Sequence, residues 1–252
     1  MTKRRKSSHS EPRPADCASQ RAGGSDKVAD LEHLALRICA CRRCPRLVAW
    51  REKVAREKRA AFAQETYWGK PVPGFGDPRA SVLVCGLAPA AHGANRTGRI
   101  FTGDRSGDWL FEALFQTGFA NQPHSTHRDD GLKLSGCYVT ACVRCAPPAN
   151  RPTTAERDNC LPFLAEELSL LKNVKVIVCL GAYAWEGMLR VLRMSGHERK
   201  PKVRFAHGAQ TMIGPYHLLG CYHPSQQNTF TGRLTKPMLV GMLERARQLA
   251  GS

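Results

Sequence analysis

VKVIVCL, residues 174–180, is the stretch on which the fold turns. Apart from Lys175 it is an unbroken apolar run rich in β-branched side chains, with no polar alternation. That pattern belongs to a strand covered on both faces, as in a parallel sheet. Three further runs read the same way: SVLVC at 81–85, YVTACV at 138–143 and HLLGCY at 217–222. Helical stretches separate them: the amphipathic GDWLFEALFQTG at 107–118, a segment at 153–172 that starts at a Thr-rich cap, and 183–193. A last helix at 238–249 closes the chain. Strands alternating with helices predict one α/β domain whose ligands bind in loops at the carboxyl ends of the strands. Three polar-rich segments fall there: 86–104, 145–151 and 223–233.

Upstream, Val28, Leu31, Leu34, Ala35 and Ile38 recur at helical spacing, and a second, basic helix is expected over 46–63. PVPGFGDP at 71–78 reads as an irregular, turn-rich loop. Residues 1–26 are expected to form a disordered basic arm, and 27–252 a single domain without internal repeats. With 42% hydrophobic residues the 252-residue chain has material for a core, which excludes wholesale disorder. No apolar run is long enough to span a membrane.

Lys and Arg number 38 against 21 Asp and Glu, a formal net charge of +17. Residues 1–30 carry only seven of those cations and four of those acids, so most of the excess sits on the folded part. That points to a polyanionic partner, nucleic acid before an anionic membrane. The basic N-terminus has no apolar segment after it and is not a secretory signal. A cytoplasmic location is expected, and the eleven cysteines then read as core residues or metal ligands rather than a disulfide framework.

The cysteines divide. Cys85, Cys137, Cys142, Cys179 and Cys221 lie in or beside apolar strands and read as small buried hydrophobes. Cys41 and Cys44 form C-x₂-C, and Cys145 and Cys160 form C-x₁₄-C a hundred residues later, from a strand end and the following helix. Four sulfurs so placed can converge on either zinc or an iron–sulfur cluster, and the spacing does not choose between them. Cys39 is a possible substitute ligand, and Cys17 is expected to be free. The loop GLAPAAHG at 86–93 is neither a dinucleotide fingerprint nor a P-loop, and no G-x-S-x-G elbow occurs, which removes most support for nucleotide hydrolysis and hydride transfer. In the glycine-rich, polar segment 95–104, Phe101 is an isolated aromatic suited to stacking on a planar base or to anchoring the loop, and Asp104 is positioned to cap the following helix. His223 follows a strand at the predicted ligand edge, with Asn150 and Asp104 at other strand ends.

Together CRRCPRLVAWRE (41–52), PVPGFGDP (71–78), GLAPAAHGANRTGRIFTGD (86–104), VRCAPPANRPT (143–153) and YHPSQQNTFTGRLT (222–235) resemble the family 5 (type B) uracil-DNA glycosylases, in the iron–sulfur branch of that superfamily. The resemblance spans about residues 31–250. It implies a three-layer α/β/α fold with a central four-stranded parallel sheet. It also implies a [4Fe–4S] cluster on Cys41, Cys44, Cys145 and Cys160, with a structural role. The implied activity is monofunctional hydrolysis of the N-glycosidic bond of uracil in DNA, extending to hypoxanthine and xanthine. Phe101 would stack on the flipped base, with Gly86, Ala88 and Asn95 around it. His223 would hydrogen-bond the uracil O2 and Asn150 would meet the base or the attacking water. Asp104 would be the carboxylate, and Arg96, Asn228 and Arg233 would contact DNA. A monomer without obligate protein partners is expected. The first-strand loop departs from the best-known uracil-specific enzymes: it has no polar side chain before His92, hence neither their water-activating Asp nor their Tyr filter, which implies relaxed base selectivity. The competing reading is a non-catalytic iron–sulfur module that binds nucleic acid.

Overall fold

A computed structural model describes residues 25–198, 201 and 203–251. The expected arm, including Cys17, lies almost wholly outside the described residues. Six strands make one sheet: β1 (Phe75–Gly76), β2 (Val82–Gly86), β3 (Cys137–Ala141), β4 (Val176–Leu180), β5 (Gln210–Ile213) and β6 (Tyr216–Cys221), in the order β1-β3-β2-β4-β6-β5. The four inner strands are parallel, with Val84 opposite both Val139 and Val178 and Val178 opposite Leu219. The expectation of four strands, all parallel, is therefore corrected. Two short antiparallel strands extend the edges, Phe75 pairing with Val139 and Thr211 with Leu218.

Every residue of β2, β3 and β4 is buried. Alternation then sends successive side chains to opposite faces. Val82, Val84, Val139, Val176 and Val178 pack against α4 (Arg105–Gln116) and α8 (Lys236–Ala250) through Leu110, Leu114, Leu239 and Leu243. Leu83, Cys85, Ile177, Cys179 and Leu218 pack against α5 (Thr154–Leu170) and α6 (Ala182–Met194) through Leu161, Leu164, Trp185 and Met188. The five strand-associated cysteines are free and buried in these layers. α1 (Ser25–Cys39) and α2 (Pro45–Glu57) flank the domain; α2 ends sooner than expected and gives way to a 3-10 turn at Ala60–Phe62. Among the described residues no helix is long and apolar enough to cross a membrane.

The helix starts are set by side chains. Thr153 and Glu156 form a reciprocal capping box at α5, and Thr235 accepts from the Met238 amide at α8. From the central strand β2 the chain moves first to β3 on one side and then to β4 on the other, so connections diverge over the carboxyl edge of β2. That switch point is where an open α/β sheet offers a crevice.

Candidate active site

The loop after β2 starts at Gly86 and ends at the first turn of α4. It is not a featureless glycine-rich loop, because Ala94–Thr97 forms one turn of helix, α3, whose residues are all buried. Phe101 sits at φ +53, a left-handed conformation uncommon for an aromatic residue, and its ring is buried. Two neighbours hold that conformation. Gly107 packs on the Phe101 carbonyl with no room for a Cβ, and a Cβ on Gly86 would stand 2.6 Å from the ring. Gly86 is therefore a surface on which the aromatic rests.

His223 emerges directly after β6, and its ring lies 5.8 Å from that of Phe101 at an interplanar angle of 31°. Its Cβ comes within 3.4 Å of where a Cβ on Gly181, the residue after β4, would stand. Burial lowers the His223 pKa from 6.5 to about 4, so the imidazole is neutral at physiological pH. Its carbonyl accepts from Asn228 Nδ2 at 2.9 Å, which fixes the turn of 223–228.

Asp104 is the N-cap of α4: Oδ1 accepts from the Gly107 amide at 3.0 Å, while Oδ2 lies over Gly93 in a space that any β-carbon would fill. Burial raises its pKa from the ordinary Asp value, opposed by the amides of Gly107 and Ser106. Phe101, Gly86 and His223 thus meet over the carboxyl ends of β2, β4 and β6, while Asp104 stands beside Gly93 and Gly107 at the start of α4. Asn150 is exposed at the tip of the loop after β3, in a 3-10 turn where Ala149 and Asn150 both take positive φ, +51 and +55. Non-glycine residues hold such angles only where their surroundings enforce them.

Three of the expected contact residues sit differently. Asn95 is buried, and its Nδ2 donates to the Arg51 carbonyl at 3.2 Å and the Ala91 carbonyl at 3.4 Å, so the amide nitrogen faces α2. Ala88 packs on Leu47, Val143 and Cys145. Arg96, expected at the DNA backbone, is buried and bonded within the loop. Nε donates to the His92 carbonyl at 2.9 Å, Nη2 to the Gly103 carbonyl at 3.0 Å and Nη1 to Glu65, with the guanidinium 4.0 Å over Phe62. Arg233 by contrast is exposed, its guanidinium 4.5 Å above the Tyr222 ring. The sequence reading missed Gly93, Gly181 and Arg99. Arg99 staples the loop through Thr102 at 3.0 Å, Ser125 at 2.8 Å and Asp130 at 2.6 Å. Partners so distant in sequence leave no local pattern.

Away from this crevice, Cys41, Cys44, Cys145 and Cys160 line one small cavity of about 20 Å³, walled by Leu47, Val48, Val143 and Phe163. Three of the sulfurs face N–H donors: Arg51 Nη1 is 3.2 Å from Cys145 Sγ, the Arg144 amide 3.3 Å from Cys160 Sγ and Asn159 Nδ2 3.7 Å from Cys44 Sγ. Burial pushes the Cys145 thiol up to about 11 and the Cys160 thiol to about 12. Next to them Arg144 forms a two-pronged buried pair with Glu167, at 2.6 and 3.3 Å, and Glu167 also accepts from the Gly74 amide at 3.2 Å.

Residues 73–247 match the family model of the uracil DNA glycosylase superfamily. The chain is 54% identical over 232 residues to a type-5 uracil-DNA glycosylase of Mycobacterium tuberculosis (91% of this chain, 84% of that one). It is 51% identical over 225 residues to the type-5 enzyme of Thermus thermophilus (88% and 99%). A type-4 uracil-DNA glycosylase of Pyrobaculum aerophilum matches at 30% over only half of this chain.

Proposed function

Because the chain belongs to the uracil DNA glycosylase superfamily and to its type-5 group, we propose that it hydrolyses the N-glycosidic bond of uracil, and of hypoxanthine and xanthine, in DNA. The packing of Phe101 on Gly86 and against His223, at the carboxyl edge of the sheet, carries this reading. A base within a duplex is out of reach and has to be turned out of the stack. Phe101 offers it a ring. As the C1′–N1 bond breaks, negative charge gathers on the leaving base and positive charge on the sugar. The neutral His223 donates a ring N–H to the developing anion without carrying a proton that must first be lost. Asp104 offsets the sugar charge and takes the proton of the water that adds at C1′. Asn150 contacts the base or that water, and Arg233 meets a phosphate beside the turn that Asn228 fixes. The first-strand loop holds only apolar side chains at 87–91, so nothing there rejects a base by its substituents. None of the motif segments contains a lysine to form a Schiff base with the sugar, which fits a glycosylase without a lyase step.

Cys41, Cys44, Cys145 and Cys160 suit a [4Fe–4S] cluster: four thiols around one apolar-walled cavity, with N–H donors on three sulfurs. A zinc ion, with Zn–S bonds of about 2.3 Å, needs its four ligands grouped tightly. Among the described residues no three His, Cys, Asp or Glu side chains are grouped tightly enough for a single ion. When bound, the cluster ties the N-terminal helices to the loop after β3.

Base excision from end-labelled duplexes carrying one uracil, hypoxanthine or xanthine tests the reading. Strand cleavage is expected only after alkali, for all three bases. His223→Ala should slow excision about 10²- to 10³-fold with DNA binding retained. If the purified protein binds DNA but releases no base, it is a non-catalytic binding module.

A further inference from the structure

Arg51 is a buried cation that the base-excision chemistry does not use. It lies on α2 and is only 2% exposed. Its nearest carboxylate, Glu52, is 3.8 Å away and is bonded to Arg42. Other buried arginines each have their own acid: Arg144 has Glu167, Arg99 has Asp130 and Arg96 has Glu65. Arg51 faces sulfur instead. Nη1 donates to Cys145 Sγ at 3.2 Å and Nη2 to the Cys41 carbonyl at 3.3 Å, while Nε is buried without a partner. Burying a guanidinium is costly unless it meets negative charge. A neutral thiol is a weak acceptor; a metal-bound thiolate carries the charge that the guanidinium lacks.

We infer that Arg51 is the internal counter-cation of the four-cysteine site, and that the same residue ties that site to the base-binding loop through its carbonyl, which accepts from Asn95 Nδ2. The inference rests on the proposed cluster. A cation and an N–H donor on a cluster sulfur stabilise the more electron-rich state, so they raise the reduction potential and slow oxidative loss. Arg51 is a positioning residue, since it acts through Cys145 and through α3.

The test compares the holoprotein with Arg51→Met and Arg51→Lys, all purified without oxygen. Iron and sulfide content, the midpoint potential and the rate of bleaching near 400 nm in air are measured. Arg51→Met should keep its iron, shift to a more negative potential and bleach several-fold faster, and Arg51→Lys should recover part of both effects. Wild-type potential and bleaching in an iron-loaded Arg51→Met protein would overturn the inference and leave the cluster reading intact. Absence of iron and sulfide from the wild-type protein would remove the cluster itself, a different failure. Should Arg51→Met fail to fold, Arg51→Gln keeps a donor and loses the charge, so an unchanged potential there would be equally fatal.

Discussion

The loops leaving the neighbouring strands β2 and β3 are held by opposite means. Residues 86–104 carry their own scaffold. Arg99 reaches Thr102, Ser125, Asp130 and the Arg128 carbonyl, and Arg96 bonds at all three guanidinium nitrogens. Residues 143–153 have such bonds only near their two ends. They are fixed at the start by backbone bonds from Cys142 to Gly86 and from Val143 to Leu87, by the Arg144–Glu167 pair and by the Val72 amide on the Arg144 carbonyl, and at the end by Arg46 Nη2 on the Arg151 carbonyl and by the Thr153 cap. Between those points stand Cys145, at the cysteine cavity, and the left-handed pair Ala149 and Asn150. The first loop is organised by hydrogen bonds within the protein. The second is organised from its ends and, on the reading above, by a cofactor.

The strongest way to break the comparison is to remove the cofactor ligand. Cys145→Ser is expected to lose iron and the 400 nm absorption and to unfold at a much lower temperature than wild type, because metal affinity is folding free energy. Hydrogen exchange should open 143–153 before 86–104. Equal opening of both loops would show that they are not held differently.

Arg99→Met applies the opposite stress. It leaves Asp130 buried without its cation; the pair's side chains are 4% and 6% exposed. Losing one partner of a buried pair costs about 3–5 kcal/mol. Iron content should stay at wild-type level while denaturant unfolding shifts by that amount and base release slows. Concurrent loss of iron would mean that the first loop supports the second.

The same contrast explains what the sequence could tell. The four inner strands were legible because burial on both faces writes an unbroken apolar run. The edges were not: Phe75–Gly76 is two residues long and half-buried, and Gln210–Ile213 alternates exposed and buried over only four. Asp104 was readable as a helix cap from its position before 107–118. The burial of Arg96 and Asn95 was not legible because a glycine-rich run with polar residues looks like solvent-facing loop, whereas here it folds around the buried turn α3. Arg99 and Arg51 gave no sign at all. Asp130 and Cys145 lie far along the chain, and only the assembled fold brings them within reach.

His223 supplies a pH signature for the well-scaffolded side of the crevice. The unfolded imidazole takes a proton near 6.5, the native one only near 4. Between those values the unfolded state binds more protons, so this group removes stability as pH falls from about 6.5 to about 4, by up to about 3 kcal/mol, and has no effect above that window. Urea midpoints measured across the window should drop less steeply for His223→Ala than for wild type. Parallel slopes would place the imidazole in water rather than against Phe101.

The smallest effect is expected at Arg233, which neither loop encloses. It is exposed over Tyr222 and bonds to nothing that folding requires. Arg233→Ala should leave the melting temperature within about 1 °C, since surface changes of this kind stay near ±0.5 kcal/mol or less. Its proposed role is electrostatic. Loss of one phosphate contact weakens DNA binding uniformly across sequences and makes the salt slope of log K against log[salt] shallower by about 1. A fluorescence titration over a range of salt concentrations reads both quantities. An unchanged slope would assign Arg233 to Tyr222 alone. Arg96→Ala is the matched control. Its guanidinium is already bonded at every nitrogen, so it should lower stability while leaving the salt slope where it was. If instead Arg96→Ala flattens the slope and Arg233→Ala does not, DNA contacts the inner face of the first loop, and that loop has to open for binding.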